Sequence, residues 1–312
     1  MSNNKKAIIL QHGGGELANQ LWNFVSVFAF CLEKKFECRN YSFFEYNCNF
    51  NIPVKNKLIE FIFFKPFSQR IERRNGFFTK FFRNLYKIYI IIVRIFFKNK
   101  IVSSKNTTNE VFYLPPSSTE SKYISLLENK SIIYFEGWLF RNPTGLEKYR
   151  KEILEYFKPN EKIEKNINKY ILELRKRYEH IIGVHIRQGD YKIFKGGKYL
   201  IDQKRIREIL DEYLSFFQKN SEKICFLITS DGKIEENNFV GLNYIISKKN
   251  PVEDLFLLSK TDIVIGSDSS FGEFSAYYGN ISHIIFKNEK IDWKYYQKDK
   301  YFQNKYCLMT QY

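Results

Sequence analysis

Short apolar runs alternate with longer, periodically apolar segments through the second half of the chain. Ile181–Arg187, Ile224–Ser230, Asn243–Ile246, Asp262–Ser267 and Ile281–Phe286 read as strands. Lys162–Tyr178, Asp202–Gln218, Pro251–Ser259 and Phe271–Tyr278 read as the helices among them. Apolar strands alternating with helices predict a doubly wound parallel sheet. The first half opens with an apolar strand, Ala7–Gln11, a turn His12-Gly13-Gly14-Gly15-Glu16 and an apolar segment Leu17–Leu32. Strand, glycine turn and helix is how nucleotide-binding α/β domains begin. The full Gly-x-Gly-x-x-Gly spacing is missing, which argues against a dinucleotide site, and three glycines also serve a plain tight turn. Further on, Phe77–Lys98 reads as a helix, Asn106–Thr119 with Pro115-Pro116 as a loop, and Ile132–Phe135 as a strand. Thr144–Phe157 reads as a helix that stops before Pro159. A boundary near residue 158 gives two domains, 1–158 and 159–312, and no internal repeat is visible.

Composition narrows the picture. With 312 residues, 44% hydrophobic and 18% aromatic, the chain can bury full cores and is not of the disordered class. A formal charge of +16 predicts an anionic partner: nucleic acid, anionic lipid or a phosphorylated small molecule. Between Lys55 and Lys105 there are 13 Lys/Arg against Glu60 and Glu72, so this stretch alone carries +11. Within it Lys80, Arg83, Lys87, Arg94 and Lys98 fall inside about 60° of a helical projection, a narrow cationic stripe on an otherwise apolar helix. Such a helix either packs inside the protein or makes peripheral contact with an anionic membrane through Phe77–Lys98. Its longest uncharged run, Ile88–Val93, is far too short to span a bilayer. No usual RNA-binding motif accompanies the charge, so nucleic acid is not an expected partner. Cys31, Cys38, Cys48, Cys225 and Cys307 are odd in number and lack a Cys-x-x-Cys pair, which argues against a disulfide framework or a zinc site. The apolar run Ala7–Leu10 is too short for a secretory signal, so the expectation is a reduced, cytoplasmic protein.

Ligands of a doubly wound sheet sit beyond the C-terminal ends of its strands. Here those ends read Val184-His185-Ile186-Arg187-Gln188-Gly189-Asp190-Tyr191, Thr229-Ser230-Asp231-Gly232 and Gly266-Ser267-Asp268-Ser269-Ser270-Phe271-Gly272. Arg187 can fork to two phosphate oxygens while staying charged, or it can be a structural ion pair with Asp190. Ser269 and Ser270 stand where a helix begins, as an anion site or as a plain cap. His185 is either a ligand contact or an ordinary buried histidine.

The segment His185-Ile186-Arg187-Gln188-Gly189-Asp190-Tyr191 resembles the His-x-Arg-Arg-Gly-Asp-Tyr motif of the α-1,2-fucosyltransferase-like family, within the wider GDP-fucose-using superfamily. Gly15-Glu16-Leu17-Ala18-Asn19-Gln20-Leu21-Trp22 is similar to that family's Gly-Gly-Leu-Gly-Asn-Gln-Met-Phe segment. Tyr134-Phe135-Glu136-Gly137-Trp138, Thr229-Ser230-Asp231 and Ser267-Asp268-Ser269-Ser270-Phe271 match three further motifs, in the family's order. Glu16, Ala18, Gln188, Asp268 and Gly272-Glu273 depart from the pattern.

The resemblance implies two Rossmann-like domains of the glycosyltransferase-B type, with the nucleotide held by the C-terminal one. It implies an inverting transfer of L-fucose from GDP-fucose to an oligosaccharide or lipid-linked glycan acceptor, without cofactor or metal. Asp254 would hold guanine, since a carboxylate can accept from both N1–H and the 2-amino group. It could equally be a first-turn acid favoured by the helix dipole. Arg187, with Ser269 and Ser270, would stabilise the departing GDP, and His185 would orient phosphates or base. Ser230, Asp231, Gly14, Gly15 and Asn19 complete the expected binding set. The general base is expected to be Glu16 or Asp190. A transferase using another nucleotide sugar is the alternative within the enzyme class, and a nucleic-acid or anionic-surface binding protein the alternative outside it.

Overall fold

Where β-branched and aromatic residues follow one another without a polar break, the chain forms strands covered on both faces, the usual condition of parallel sheets. The computed structural model describes residues 5–10, 15–68, 76–104, 111–116, 121–217 and 221–297. Two units divide between Asn160 and Glu161.

The first unit contains, in chain order, β1 (Lys6–Ile9), α1 (Leu17–Lys34), β2 (Glu37–Asn40), the one-turn α2 (Lys57–Ile59), α3 (Phe77–Phe96) and β3 (Ile101–Ser103). There follow β4 (Phe112–Tyr113), α4 (Ser121–Asn129), β5 (Ile132–Glu136), β6 (Phe140–Arg141), α5 (Pro143–Lys148) and α6 (Arg150–Tyr156). Its main sheet runs β2-β1-β5-β3, all parallel. α1 is apolar on nearly every side and correspondingly buried, with Trp22, Phe24 and Phe30 fully enclosed. Phe24 meets Phe43 and Phe157 edge to face, at 5.6 and 4.7 Å between centroids.

Three expectations change. The segment Thr144–Phe157 is two helices, because Tyr149 leaves helical geometry (φ −108°, ψ 25°). The described part of Asn106–Thr119 holds β4, which pairs in parallel with β6; a two-residue strand has no period to read. In α3, the cationic stripe is not open throughout. Arg83 donates to both oxygens of Glu45, at 2.7 and 2.6 Å, and Arg94 donates to Glu136 at 2.5 Å. Lys80 and Lys87 on the helix, and Lys98 beyond its end at Phe96, stay exposed without a carboxylate partner among the described residues. The helix buries Thr79, Tyr86, Ile90 and Val93, with Tyr86 packed against Phe44 and Phe63. Among the described residues no helix is long and apolar enough to cross a membrane.

The second unit holds α7 (Glu161–Arg175), β7 (His180–Ile186), α8 (Gln203–Phe216), β8 (Ile224–Ser230) and β9 (Tyr244–Ile246). After these come α9 (Pro251–Leu258), β10 (Ile263–Gly266), α10 (Ser270–Gly279) and β11 (Ser282–Ile285). The all-parallel order is β11-β10-β7-β8-β9, so the chain moves outward from β7 in one direction and then returns to build the other half. The strand order therefore reverses between β7 and β10. Alternation puts Ile182, Val184, Ile186, Phe226, Ile228, Ile265 and Ile284 in one core with Ile206, Ile209 and Leu210 of α8. Each such buried side chain contributes about 1.5–3 kcal/mol of transfer free energy. The opposite face, carrying Gly183, His185 and Thr229, lies under α9 and α10.

α9 opens with a full capping box: the Asn250 side chain accepts from Val252 and Glu253 amides, and Glu253 reaches back to the Asn250 amide. It lies so close to α10 that a Cβ on Gly279 would come within 2.2 Å of the Ser259 carbonyl oxygen. Backbone cannot yield as a side-chain tip can. Gly279→Ala is therefore expected to cost about 1–3 kcal/mol, read as a lower urea midpoint. An unchanged midpoint would mean that these helices separate without loss.

Candidate functional site

In folds of this kind ligands sit at the C-terminal edge of the sheet where the strand order reverses, here between β7 and β10. Register decides what faces it. His185 pairs with Gly266 on one side and with Thr229 on the other, so these residues share one rung. Two residues later, with the same facing, comes Arg187. Its backbone amide donates to Ser267 Oγ at 2.9 Å, which ties the two strand ends together.

The Arg187 guanidinium donates through Nε to Asp190 Oδ1 at 2.9 Å and lies 3.2 Å from Asp231 Oδ2. Its plane sits over the Tyr191 ring, 5.8 Å from the centroid, and the Tyr191 hydroxyl donates to the Asp268 carbonyl at 2.5 Å. Asp231 also accepts from the backbone amides of Gln188 (2.6 Å) and Gly189 (3.2 Å). Gln188 donates to Ser230 Oγ and to the Lys233 carbonyl. Ser230 and Asp231 thus staple the turn that carries Arg187. The ion pair with Asp190, one of two readings of Arg187, is present; Asp190 itself is more than half exposed.

His185 is buried (4% exposed) and stacks on Phe271 at 4.7 Å. One ring nitrogen lies 3.2 Å from Thr229 Oγ1, and Nε2 has no partner. Burial, with Arg187 and His283 nearby, brings its pKa down to about 3, so the ring is neutral. His283, on β11, is half-buried, with an enclosed Nε2 that has no partner, and burial brings its pKa down to about 4, so this ring is neutral too. It occupies the space beside Gly272, where a Cβ would come within 2.8 Å of Nε2.

Ser269 stands at the N-cap of α10, yet its side chain makes no capping bond, and its buried Oγ has no partner. The capping role is thereby set aside. A buried hydroxyl without a partner at a helix N-terminus, where backbone amides point outward, is a place made for an anion. Ser270 follows as the first residue of α10.

Asp254 is buried on the first turn of α9 and accepts a 2.5 Å hydrogen bond from Ser247 Oγ. Burial raises its pKa to about 7. Glu253, in the capping box, and Asp254 are both acids of the first turn of α9, so the helix-dipole reading of Asp254 stands beside the base-binding one.

Glu16, Gly15 and Asn19 belong to the first unit, in the turn from β1 to α1. Gly15 (φ +117°) packs directly on Asn19, where a Cβ would come within 2.0 Å of Nδ2. Glu16 is exposed at the N-terminus of α1 and its side chain does not cap that helix. Gly14, with His12 and Gly13, lies outside the described residues. Among the described residues no group of three or more His, Cys, Asp or Glu could hold a metal ion. Two parts of the site escaped the sequence. Ser247 follows a short edge strand with no signature, and His283 sits mid-strand, visible only as the one polar position in Ser282-His283-Ile284-Ile285 that faces α10.

The sequence profile described as Glycosyl transferase family 11 matches residues 17–307. No curated protein sequence matches the chain. Among solved structures, POFUT1 in complex with GDP-fucose is similar at a TM-score of 0.53 and 11% identity, covering 93% of this chain and 99% of that one. A mutant of Arabidopsis thaliana FUT1 in complex with GDP is similar at a TM-score of 0.52 and 11% identity, over 92% of this chain and 72% of that one. The fucosyltransferase NodZ from Bradyrhizobium is similar at 0.52 and 13%, over 92% and 97%. The likeness fixes the fold as that of the glycosyltransferase-B fucosyltransferases.

Titration of Asp254 gives a test of its burial. Its native pKa, about 7, lies above the unfolded value of about 3.9. The native state therefore holds a proton that the unfolded chain has lost, so its contribution to stability is present in acid and fades as pH rises to about 7. Relative to Asp254→Asn, wild type should lose about 1.4 kcal/mol per pH unit across that window. Parallel urea-derived stability curves for the two proteins from pH 4 to pH 7 would show that the carboxyl is solvated.

Proposed function

The chain belongs to glycosyl transferase family 11 and is a glycosyltransferase, and on that premise we propose that it transfers L-fucose from GDP-fucose to a hydroxyl of an oligosaccharide or lipid-linked glycan acceptor. One observation carries the donor assignment: the buried, unpartnered Ser269 hydroxyl at the N-terminus of α10, next to the strand end that bears Arg187. A diphosphate fits such a place. Similar folds bind GDP-fucose in POFUT1 and GDP in FUT1.

In this reading the diphosphate lies across the N-terminus of α10, with Ser269 and Ser270 as donors. Asp190 and Asp231 engage Nε of Arg187 and orient its guanidinium, which stays charged and can meet phosphate oxygens. As the bond from the sugar carbon to the diphosphate oxygen lengthens, negative charge grows on GDP and is met by Arg187 and the helix terminus, without a metal ion. His185, neutral, acts as a hydrogen-bonding and stacking wall rather than as a cation. For the proton-accepting role toward the acceptor hydroxyl, Glu16 is the first candidate and Asp190 the second. The α-1,2 linkage rests on the sequence motifs; digestion of the product by an α-1,2-specific fucosidase tests it.

Arg187→Ala is expected to lower kcat by about 100-fold or more, with Glu16→Gln lowering kcat while leaving GDP-fucose affinity intact. Activity within a few-fold of wild type in the arginine variant would make Arg187 structural. Addition of EDTA should leave the rate unchanged; loss restored by magnesium or manganese would overturn the metal-free reading.

Guanine recognition has its own signature. Only the ionised Asp254 can accept from both guanine donors, and in the free protein that carboxyl titrates near pH 7. GDP-fucose, a diester with no phosphate titrating there, should bind up to about tenfold more weakly for each pH unit below 7. Calorimetry across pH 6 to 8 should show this dependence in wild type and not in Asp254→Asn. Flat affinity in wild type would remove Asp254 from the base site.

A further inference from the structure

Opposite the buried face of α3 lies a second apolar face that no described residue covers. Phe77 (88% exposed), Phe81 (55%), Ile88 (54%), Ile92 (47%) and Ile95 (68%) all stand in water. At 100° per residue they fall within about 60° of one another, diametrically across from Tyr86. Ile91 (49% exposed) adjoins them, beyond it the same edge of the helix carries Lys80 and Lys87, and Lys98 follows just past the helix end at Phe96. The helix has no acidic residue anywhere along it.

From this layout we infer that the outer face of α3 lies flat on an anionic lipid bilayer, its phenylalanines and isoleucines among the acyl-chain ends and its three lysines at the headgroups. An apolar strip of helical length edged only by cations matches a surface that is apolar beneath and negative at the rim. The lysine stems can lie along the apolar strip while their ammonium groups stay at headgroup level. A second copy of the chain is a poorer occupant. A two-fold contact would set one lysine rim near the other, and the face offers no Tyr, Trp or Arg of the kind that anchors protein contacts. Arg83 and Arg94, committed to Glu45 and Glu136, help fix the helix to the unit and are not counted among the lipid-facing charges. The inference concerns the first unit alone and does not rest on the proposed donor.

The test is co-sedimentation of the full chain with vesicles of mixed phosphatidylserine and phosphatidylcholine, beside vesicles of phosphatidylcholine alone. Binding to the anionic vesicles at low salt is expected, weakening as salt is raised. Each lysine near an anionic surface is worth about fivefold in affinity, so Lys80→Gln, Lys87→Gln and Lys98→Gln combined should weaken binding by on the order of 100-fold. Ile88→Ser, Ile92→Ser and Ile95→Ser combined should abolish it. All these positions are exposed, so the native circular dichroism and GDP-fucose affinity of both variants should match wild type. No binding of wild type at low salt overturns the inference, as does binding that the lysine variant retains in full. A wild-type dimer in sedimentation equilibrium that the isoleucine variant converts to monomer would assign the face to a second copy instead. A chain that binds vesicles but not GDP-fucose would keep this inference and sink the donor assignment.

Discussion

The pairing of β7 with β10 is the constraint on which the candidate site depends. These two strands are far apart in sequence, and nothing joins them except parallel hydrogen bonds and the residues that cover both faces. Because side chains alternate, a slip of one residue would turn His185 and Arg187 into the α8 core and bring Ile186 toward α10. Burial forbids the slip: Ile182, Val184 and Ile186 belong to one apolar cluster, and the alternate positions nearest the strand end are Gly183 and His185. The bond from the Arg187 amide to Ser267 Oγ then locks the register at the end where the chemistry lies.

Much of the second unit was legible because its strands are continuous apolar runs and its helices carry long periods. Ile181–Arg187 and Ile224–Ser230 could be read to within a residue or so. The first unit was less legible, for reasons that differ by element. β2 is only partly buried and has a charged sequence, Glu-Cys-Arg-Asn, so no apolar pattern marks it. β4 and β6 have two residues each. Tyr149 breaks a helix with no proline or glycine at the break. At the site, the strand-end residues could be listed from sequence, whereas their states could not. That Ser269 leaves its hydroxyl unused, or that Asp254 lies buried beneath Ser247, follows from packing that only three dimensions supply.

The departures from the family motif make sense in the same terms. Gln188, where a second arginine is usual, joins Ser230, Lys233 and Gln203 in one neutral hydrogen-bonded set. Here it secures the turn and leaves the charge to Arg187 alone. Gly272 stands where a larger residue is common, and the room is taken by the His283 ring. Both neutral rings pack on the first turn of α10, His185 on Phe271 and His283 against Gly272. Burial strengthens any hydrogen bond formed there.

The network around Arg187 has one further consequence. Asp231 accepts from two successive backbone amides, Gln188 binds across to β8, and Tyr191 reaches the turn after β10, so the turn is fastened by bonds made entirely within the protein. A loop that must be ordered by its ligand subtracts roughly 0.5–1.5 kcal/mol per immobilised side chain from the affinity. Here that entropy has been lost during folding rather than at encounter. On the proposed donor assignment, the Arg187 turn would act as a rigid mould, and selectivity between donors would be set by how well each fits a shape already fixed.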